Sequence, residues 1–194
     1  MARNSDLADF GPSASAGAVL EEFCSPCDGS AITVRSGTYT VGNVTGAMGL
    51  TTTHADVTGS SIDYTPPTGT QTVIYEFSFQ VAHVDERVII HIKLMLDNDS
   101  GTPTEVVYAK KTIFAHSESH YLDSFYTFKW PFHIGGSDST NTGRGDTWTS
   151  ARTIKLMARE YGSTYEGKLH VMSHWDGSAA ETLSQPVIGI KALA

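Results

Sequence analysis

Residues 72–82 read Thr-Val-Ile-Tyr-Glu-Phe-Ser-Phe-Gln-Val-Ala, so Val73, Tyr75, Phe77, Phe79 and Val81 alternate with Ile74, Glu76, Ser78 and Gln80. Successive strand side chains point to opposite faces, and this period of two therefore predicts a strand with one apolar and one largely polar face. A second run follows at once. Over 87–96, Val88, Ile90, Ile92, Leu94 and Leu96 form one face, and Ile89, His91, Lys93 and Met95 the other. That other face is half apolar, so a second layer or a subunit is expected to cover it. Strands of this kind must bury their apolar faces against another sheet, which commits the chain to a layered β architecture.

The rest of the chain repeats the theme in shorter pieces. Strands are expected at 19–23, 31–34 and 38–41, separated by the turn residues Asp28-Gly29-Ser30 and Ser36-Gly37. A further strand, 60–64, is closed by Pro66-Pro67-Thr68-Gly69, which no central strand could contain. After the turn 97–101 come strands at 105–110, 121–134, 152–160, 168–175 and 186–193. The segment 121–134 is rich in aromatic residues and interrupted by Pro131, so it is expected at a sheet edge or a bulge. About ten short strands with no helical period predict a two-sheet antiparallel sandwich, a jelly roll. At 194 residues one such domain over 18–194 is expected. Residues 1–17 hold too few apolar groups to fold alone and read as an arm that orders against a neighbour, anchored by Leu7 and Phe10.

Charge and motif content narrow the function. A net charge of −8 opposes binding to phosphate backbones or anionic lipid, so neither nucleic acid nor membrane is an expected partner. No apolar run is long enough to span a bilayer and residues 1–17 lack a signal-peptide pattern, so synthesis in the cytoplasm is expected. Cys24-Ser-Pro-Cys27 lacks the helix N-terminus of a redox pair and the second pair of a zinc site; a turn with two thiols, bonded or free, is expected. His116 with His120 and His170 with His174 share a four-residue spacing, but on a strand this spans roughly 13 Å, too far for one ion at the second pair. Asp97-x-Asp99-x-Gly101 begins like a calcium loop, yet Tyr108 stands where the bidentate glutamate belongs. No nucleophile elbow, phosphate loop or dinucleotide motif occurs, so the expectation is a protein without catalysis, cofactor or metal. Scattered carboxylates of a polysaccharide-cleaving spike would leave no local motif. The aromatic residues at 121–132, with Trp148, Tyr161, Tyr165 and Trp175, suit core or intersubunit packing better than a glycan-binding face.

One set of motifs, in order, resembles structural proteins of marine and freshwater tailed bacteriophages, those of cyanophages in particular. It comprises Thr58-Gly-Ser-Ser-Ile-Asp-Tyr-Thr-Pro-Pro-Thr-Gly-Thr70, Val73-Ile-Tyr-Glu-Phe77, Thr127-Phe-Lys-Trp130, Ile154-Lys-Leu-Met-Ala-Arg-Glu-Tyr161, Leu169-His170 and Trp175-Asp-Gly177. The likeness runs from about residue 19 to the end. It implies a virion protein with a jelly-roll domain similar to tumour-necrosis-factor and C1q-like modules, which trimerise and display loops outward. Members often begin with a long fibre-like segment, whereas this chain has only the arm. The expectation is therefore a homotrimeric capsid decoration, or cement, protein on the outer surface of the particle, bound to the major capsid protein through Leu7 and Phe10. Ile89, Tyr126, Phe128 and Trp130 are the expected trimer contacts. The alternative is a tail tip or adaptor that contacts tail components and host surface glycan.

Overall fold

In the computed structural model of the protein, residues 15–83, 87–97, 101–116, 123–164, 167–173 and 180–194 are described. Leu7, Phe10, His120, Tyr165, His174 and Trp175 lie outside them. The strands are β1 (Val19–Pro26), β2 (Ala31–Val34), β3 (Gly37–Thr40), β4 (Met48–Gly49), β5 (Ala55–Asp56), β6 (Ile62–Tyr64), β7 (Thr72–His83) and β8 (Arg87–Leu96). They continue with β9 (Thr104–Glu105), β10 (Lys111–His116), β11 (Asp123–His133), β12 (Arg152–Glu160), β13 (Gly167–Leu169), β14 (Val171–Met172), β15 (Thr182–Leu183) and β16 (Val187–Leu193). The long alternating runs became β7 and β8, the two central strands.

Each central strand organises one antiparallel sheet. Along one edge of β7 lies β11; along the other lie β16 and then β13, with β1 beyond β16 and β4 beyond β13. In the second sheet β12 flanks one edge of β8, β10 and β9 flank the other, and β5 and β6 pair with the far side of β12. The apolar faces meet. Tyr75, Phe77, Phe79, Phe132, Ile188 and Ile190 from the first sheet, and Ile90, Leu94, Ile154 and Leu156 from the second, are essentially inaccessible and belong to one core. The fold is an all-β antiparallel sandwich, as the alternation demanded. Gly17 N–H donates to Ala194 O and Ala194 N–H to Ala18 O, so the first paired residue and the last close the same sheet.

Two buried polar devices tie the β2–β3 hairpin and the 57–60 turn to this core. The Glu21 carboxylate, on β1, accepts hydrogen bonds from Ser36 N–H at 2.7 Å, Ser36 Oγ at 2.6 Å and Tyr64 Oη at 2.9 Å. Tyr39 Oη donates to Thr65 O at 2.8 Å, which completes the anchor. At the turn, Ser60 Oγ donates to Val57 O and accepts from Leu156 N–H, while Tyr75 Oη donates to Ser60 O.

Three expectations change. Residues 105–110 are not one strand: β9 is followed by a single 3-10 turn, Val107–Ala109, and then by β10. Val106 and Ala109 are the buried pair and Ala109 N–H bonds Val106 O, a three-residue spacing that no alternating strand produces. The strand at 168–175 breaks at His170, whose φ of 69° lies in the left-handed region, and the chain restarts as β14. Cys24 and Cys27 do not share a turn. Cys24 lies in β1, exposed, and Cys27 in the bend just past it, fully buried; both are free. β11, by contrast, is an edge strand as Pro131 required: among the described residues it pairs only with β7.

Candidate functional site

One surface that the fold leaves open is the outer face of the second sheet, and cross-strand register fixes its layout. Phe114 on β10 stands opposite Ile89 on β8, and Tyr161, just past β12, donates its N–H to Ile89 O at 2.8 Å. These three form an apolar row. The next row holds Thr112, His91 and Arg159; the one after it holds Lys93 and Met157; the last holds Glu105, Met95 and Lys155. Rows of same-face residues are roughly 6.8 Å apart along a strand. Phe114 is 61% and Tyr161 57% exposed, and among the described residues no layer covers them.

Over the middle rows the face is concave. A cleft of about 300 Å³ is lined by His54, His91, Lys93, Lys110, Lys111 and Arg159, together with Thr112 and Glu105. Its polar contacts are few. His91 Nδ1 lies 3.1 Å from Thr112 Oγ1, and the His91 ring meets Tyr161 edge-on at 6.0 Å. Arg159 Nη1 donates to the carbonyls of Thr52 and Glu160 at 3.4 and 3.5 Å. Glu105 is 2.8 Å from Lys110 Nζ and 3.7 Å from Lys93 Nζ. The Lys110 hydrogen bond holds the Glu105 carboxyl below its ordinary range. Partial burial, and after it the charges of Lys93 and Arg159, push the His54 imidazole below its ordinary range. Chemically, this arrangement can hold an anion beside an apolar or planar surface.

A second hollow, of about 340 Å³, lies between β9 and the 138–144 loop and is lined by Asp138, Asn141 and Arg144 among others. Arg144 of the Arg-Gly-Asp triplet is exposed there, and Asp146 N–H donates to Asp138 Oδ1 at 2.8 Å, which makes the triplet part of a folded loop. Among the described residues no group of three His, Cys, Asp or Glu side chains is disposed to hold a metal ion.

The four expected trimer contacts separate. Phe128 is 4% exposed and packs in the core of its own chain, while Tyr126 and Trp130 lie half-buried against that core on the same inward face of β11. Trp130 Nε1 also donates to Thr142 O. The reason is phase: β11 turns its even-numbered residues inward, so Phe125, at 63% exposed, is its outward aromatic. Only Ile89 faces outward, half-covered between Phe114 and Tyr161. Trp148 is core, its Nε1 donating to Tyr64 O and its ring meeting Phe132 edge-on at 5.8 Å. Sequence reading singled out Ile89 and Tyr161 but missed Phe114, His54, Lys110, Lys111 and Arg159. The Phe114-containing strand β10 was not recognised, and the others join the cleft only through cross-strand pairing.

No family model matches the chain, and neither does any curated protein. Among solved structures it is similar to a CBM4 carbohydrate-binding module, at 16% identity over 85% of this chain and 86% of that one, TM-score 0.26. It is also similar to a family 11 carbohydrate-binding module from Clostridium thermocellum in complex with a mixed-linked tetrasaccharide, at 16% identity over 89% and 84%, TM-score 0.25. An infectious bursal disease virus structure aligns at 11% identity over 84% of this chain and 50% of that one, TM-score 0.24. Scores this low add no weight to either a fold or a function, and the sandwich stands on its own two sheets.

Proposed function

We propose that the chain is a structural protein of a tailed-phage virion that works by contact, as a homotrimeric decoration of the capsid surface. The sequence motifs quoted above supply the particle. The observation that supports an outward-facing sandwich is the outer face of the second sheet, where Phe114, Ile89 and Tyr161 stay at the surface while, among the described residues, most other large apolar side chains are buried. In this reading residues 1–17 grip the capsid or a neighbouring capsomer, and the sandwich is held outward. Three copies repeat each weak arm contact, so modest attachments add up by effective concentration.

Deletion of residues 1–14, which stops short of the Gly17 to Ala194 hydrogen bond, tests the arm. The expected result is a folded, soluble trimer that no longer binds particles; unchanged particle binding by the deleted protein contradicts the arm's role. Mass in solution tests the trimer, and a stable monomer removes the multiplied attachment.

A second reading places the protein on the tail as a tip or adaptor that meets host glycan. It is favoured by the exposed rings and cations that lie side by side on the same sheet face. Position and copy number separate the two readings: many copies on the head, or a handful on the tail.

A further inference from the structure

We propose that the cleft on the outer face of β10, β8 and β12 binds an acidic saccharide, its carboxylate or phosphate held by Lys93, Lys110 and Arg159 and its ring laid on the row Phe114, Ile89 and Tyr161. The inference rests on the reading of the sandwich as an outward-facing contact module and names what that face holds.

The argument starts from charge. Elsewhere on the described surface lysines are matched to acids: Lys129 with Glu76 at 3.1 Å, Lys191 with Glu22 and Lys155 with Asp56 at 2.8 and 2.7 Å, and Lys168 with Glu181. In the cleft Lys93 and Lys110 share the single carboxylate of Glu105, and Arg159 lines the same hollow. Among the described residues Arg159 has only carbonyl acceptors, so its positive charge is hydrogen-bonded but not neutralised. A local excess of positive charge in a concave site, on a molecule whose net charge is −8, concentrates field where it selects an anionic group. Lys93 and Arg159 add to burial in lowering the neighbouring His54 imidazole.

Shape and apolar surface then select the class of anion. The cleft volume of about 300 Å³ is at the small end of ligand sites and suits one or two rings better than a macromolecular surface. The exposed ring of Tyr161 meets His91 at the cleft wall, and Phe114 lies across Ile89 from it. Flat apolar rings beside a cationic cleft suit a molecule with an apolar C–H face and an anionic substituent, which is what a uronate or phosphorylated sugar offers.

The test is calorimetry on the full-length protein with tetragalacturonate, mannose 6-phosphate and neutral maltotetraose, each at low and high salt. The expected result is binding of one or both anionic probes, weakened by salt, with little or none for maltotetraose. The uronate and phosphate arms identify which anion is preferred. Arg159→Ala and Lys93→Gln should each weaken the anionic probe by about tenfold, with Arg159→Lys recovering part of the loss. Nuclear magnetic resonance should show the proton affinity of His54 rising when the probe saturates the cleft. Equal binding of neutral and acidic probes, binding of none, or indifference to the charge variants overturns the proposal. So does a change in assembly mass in Phe114→Ala or Tyr161→Ala, because that makes the face a contact between copies. Absence of the protein from purified particles would instead remove the virion reading and leave a positive binding result standing.

Discussion

Gly59, Cys27 and His170 are the residues at which a single atom matters most. Gly59 has φ of +80°, and a Cβ there would lie 2.6 Å from Val44 Cγ2 and 3.1 Å from Cys27 Cβ. Both backbone strain and collision oppose any side chain, so Gly59→Ala should cost about 2–4 kcal/mol in chemical denaturation. Cys27 beneath it donates its thiol to Gly59 O, and burial, with the nearby Asp28 charge, pushes that thiol up to about 12. Thiol titration should therefore find one reactive cysteine, Cys24, in the native protein and two after unfolding. Two inert thiols in the native protein would contradict this. His170 is fully buried between the edges of Phe77 and Phe79. Burial pushes its imidazole down to about 4, with the Thr58 main chain pulling weakly the other way. Between pH 6.5 and about 4 the unfolded chain takes up a proton that the folded chain refuses. Stability is therefore fully present above this window and falls as pH drops through it, by an amount on the order of 3 kcal/mol. Thermal midpoints measured across that range should drop, and the drop should shrink in His170→Leu.

Among the elements, the β2–β3 hairpin depends on a distant carboxylate. Glu21 is 7% exposed and accepts from Ser36 twice and from Tyr64 once, so Glu21→Ala strands the Tyr64 hydroxyl and the Ser36 amide, while the Ser36 hydroxyl keeps Tyr39 Oη at 2.7 Å. The expected loss is about 2–4 kcal/mol, read from denaturant midpoints, with Tyr64→Phe costing about 1–2 kcal/mol. A neutral Glu21→Ala result would place the hairpin's stability elsewhere. The same scale separates what was legible in the sequence from what was not. β7, β8 and β12 were legible because apolar residues stand at every second position, over 73–81, 88–96 and 154–158, and a one-residue slip would turn that apolar set to solvent. β4, β5, β9 and β15 are two residues long and carry no period; they exist because a neighbouring strand offers free backbone groups. The turn at 107–109 was hidden because a buried spacing of three is too short to register against alternation.

For the molecule as a whole, the core was legible and the surface was not. On β11 the aromatic residues Tyr126, Phe128, Trp130 and Phe132 share the inward face, so strand phase puts Phe128 in the chain's own core and Tyr126 and Trp130 half-buried against it, where hydrophobicity alone suggested a contact between chains. The outer cleft gathers His54, His91, Lys110 and Arg159 from four separate stretches of sequence, and only the pairing of β8 with β10 and β12 brings them into reach. Its proposed role and the proposed trimer are both secondary to the question of where the protein resides. That question is answered by quantitative mass spectrometry of purified phage particles combined with immunogold labelling. The account predicts hundreds of copies per particle, in register with the capsid lattice and labelled over the head. A handful of copies at the tail would transfer the protein to the receptor-contact reading, and absence from the particle would contradict a virion role altogether.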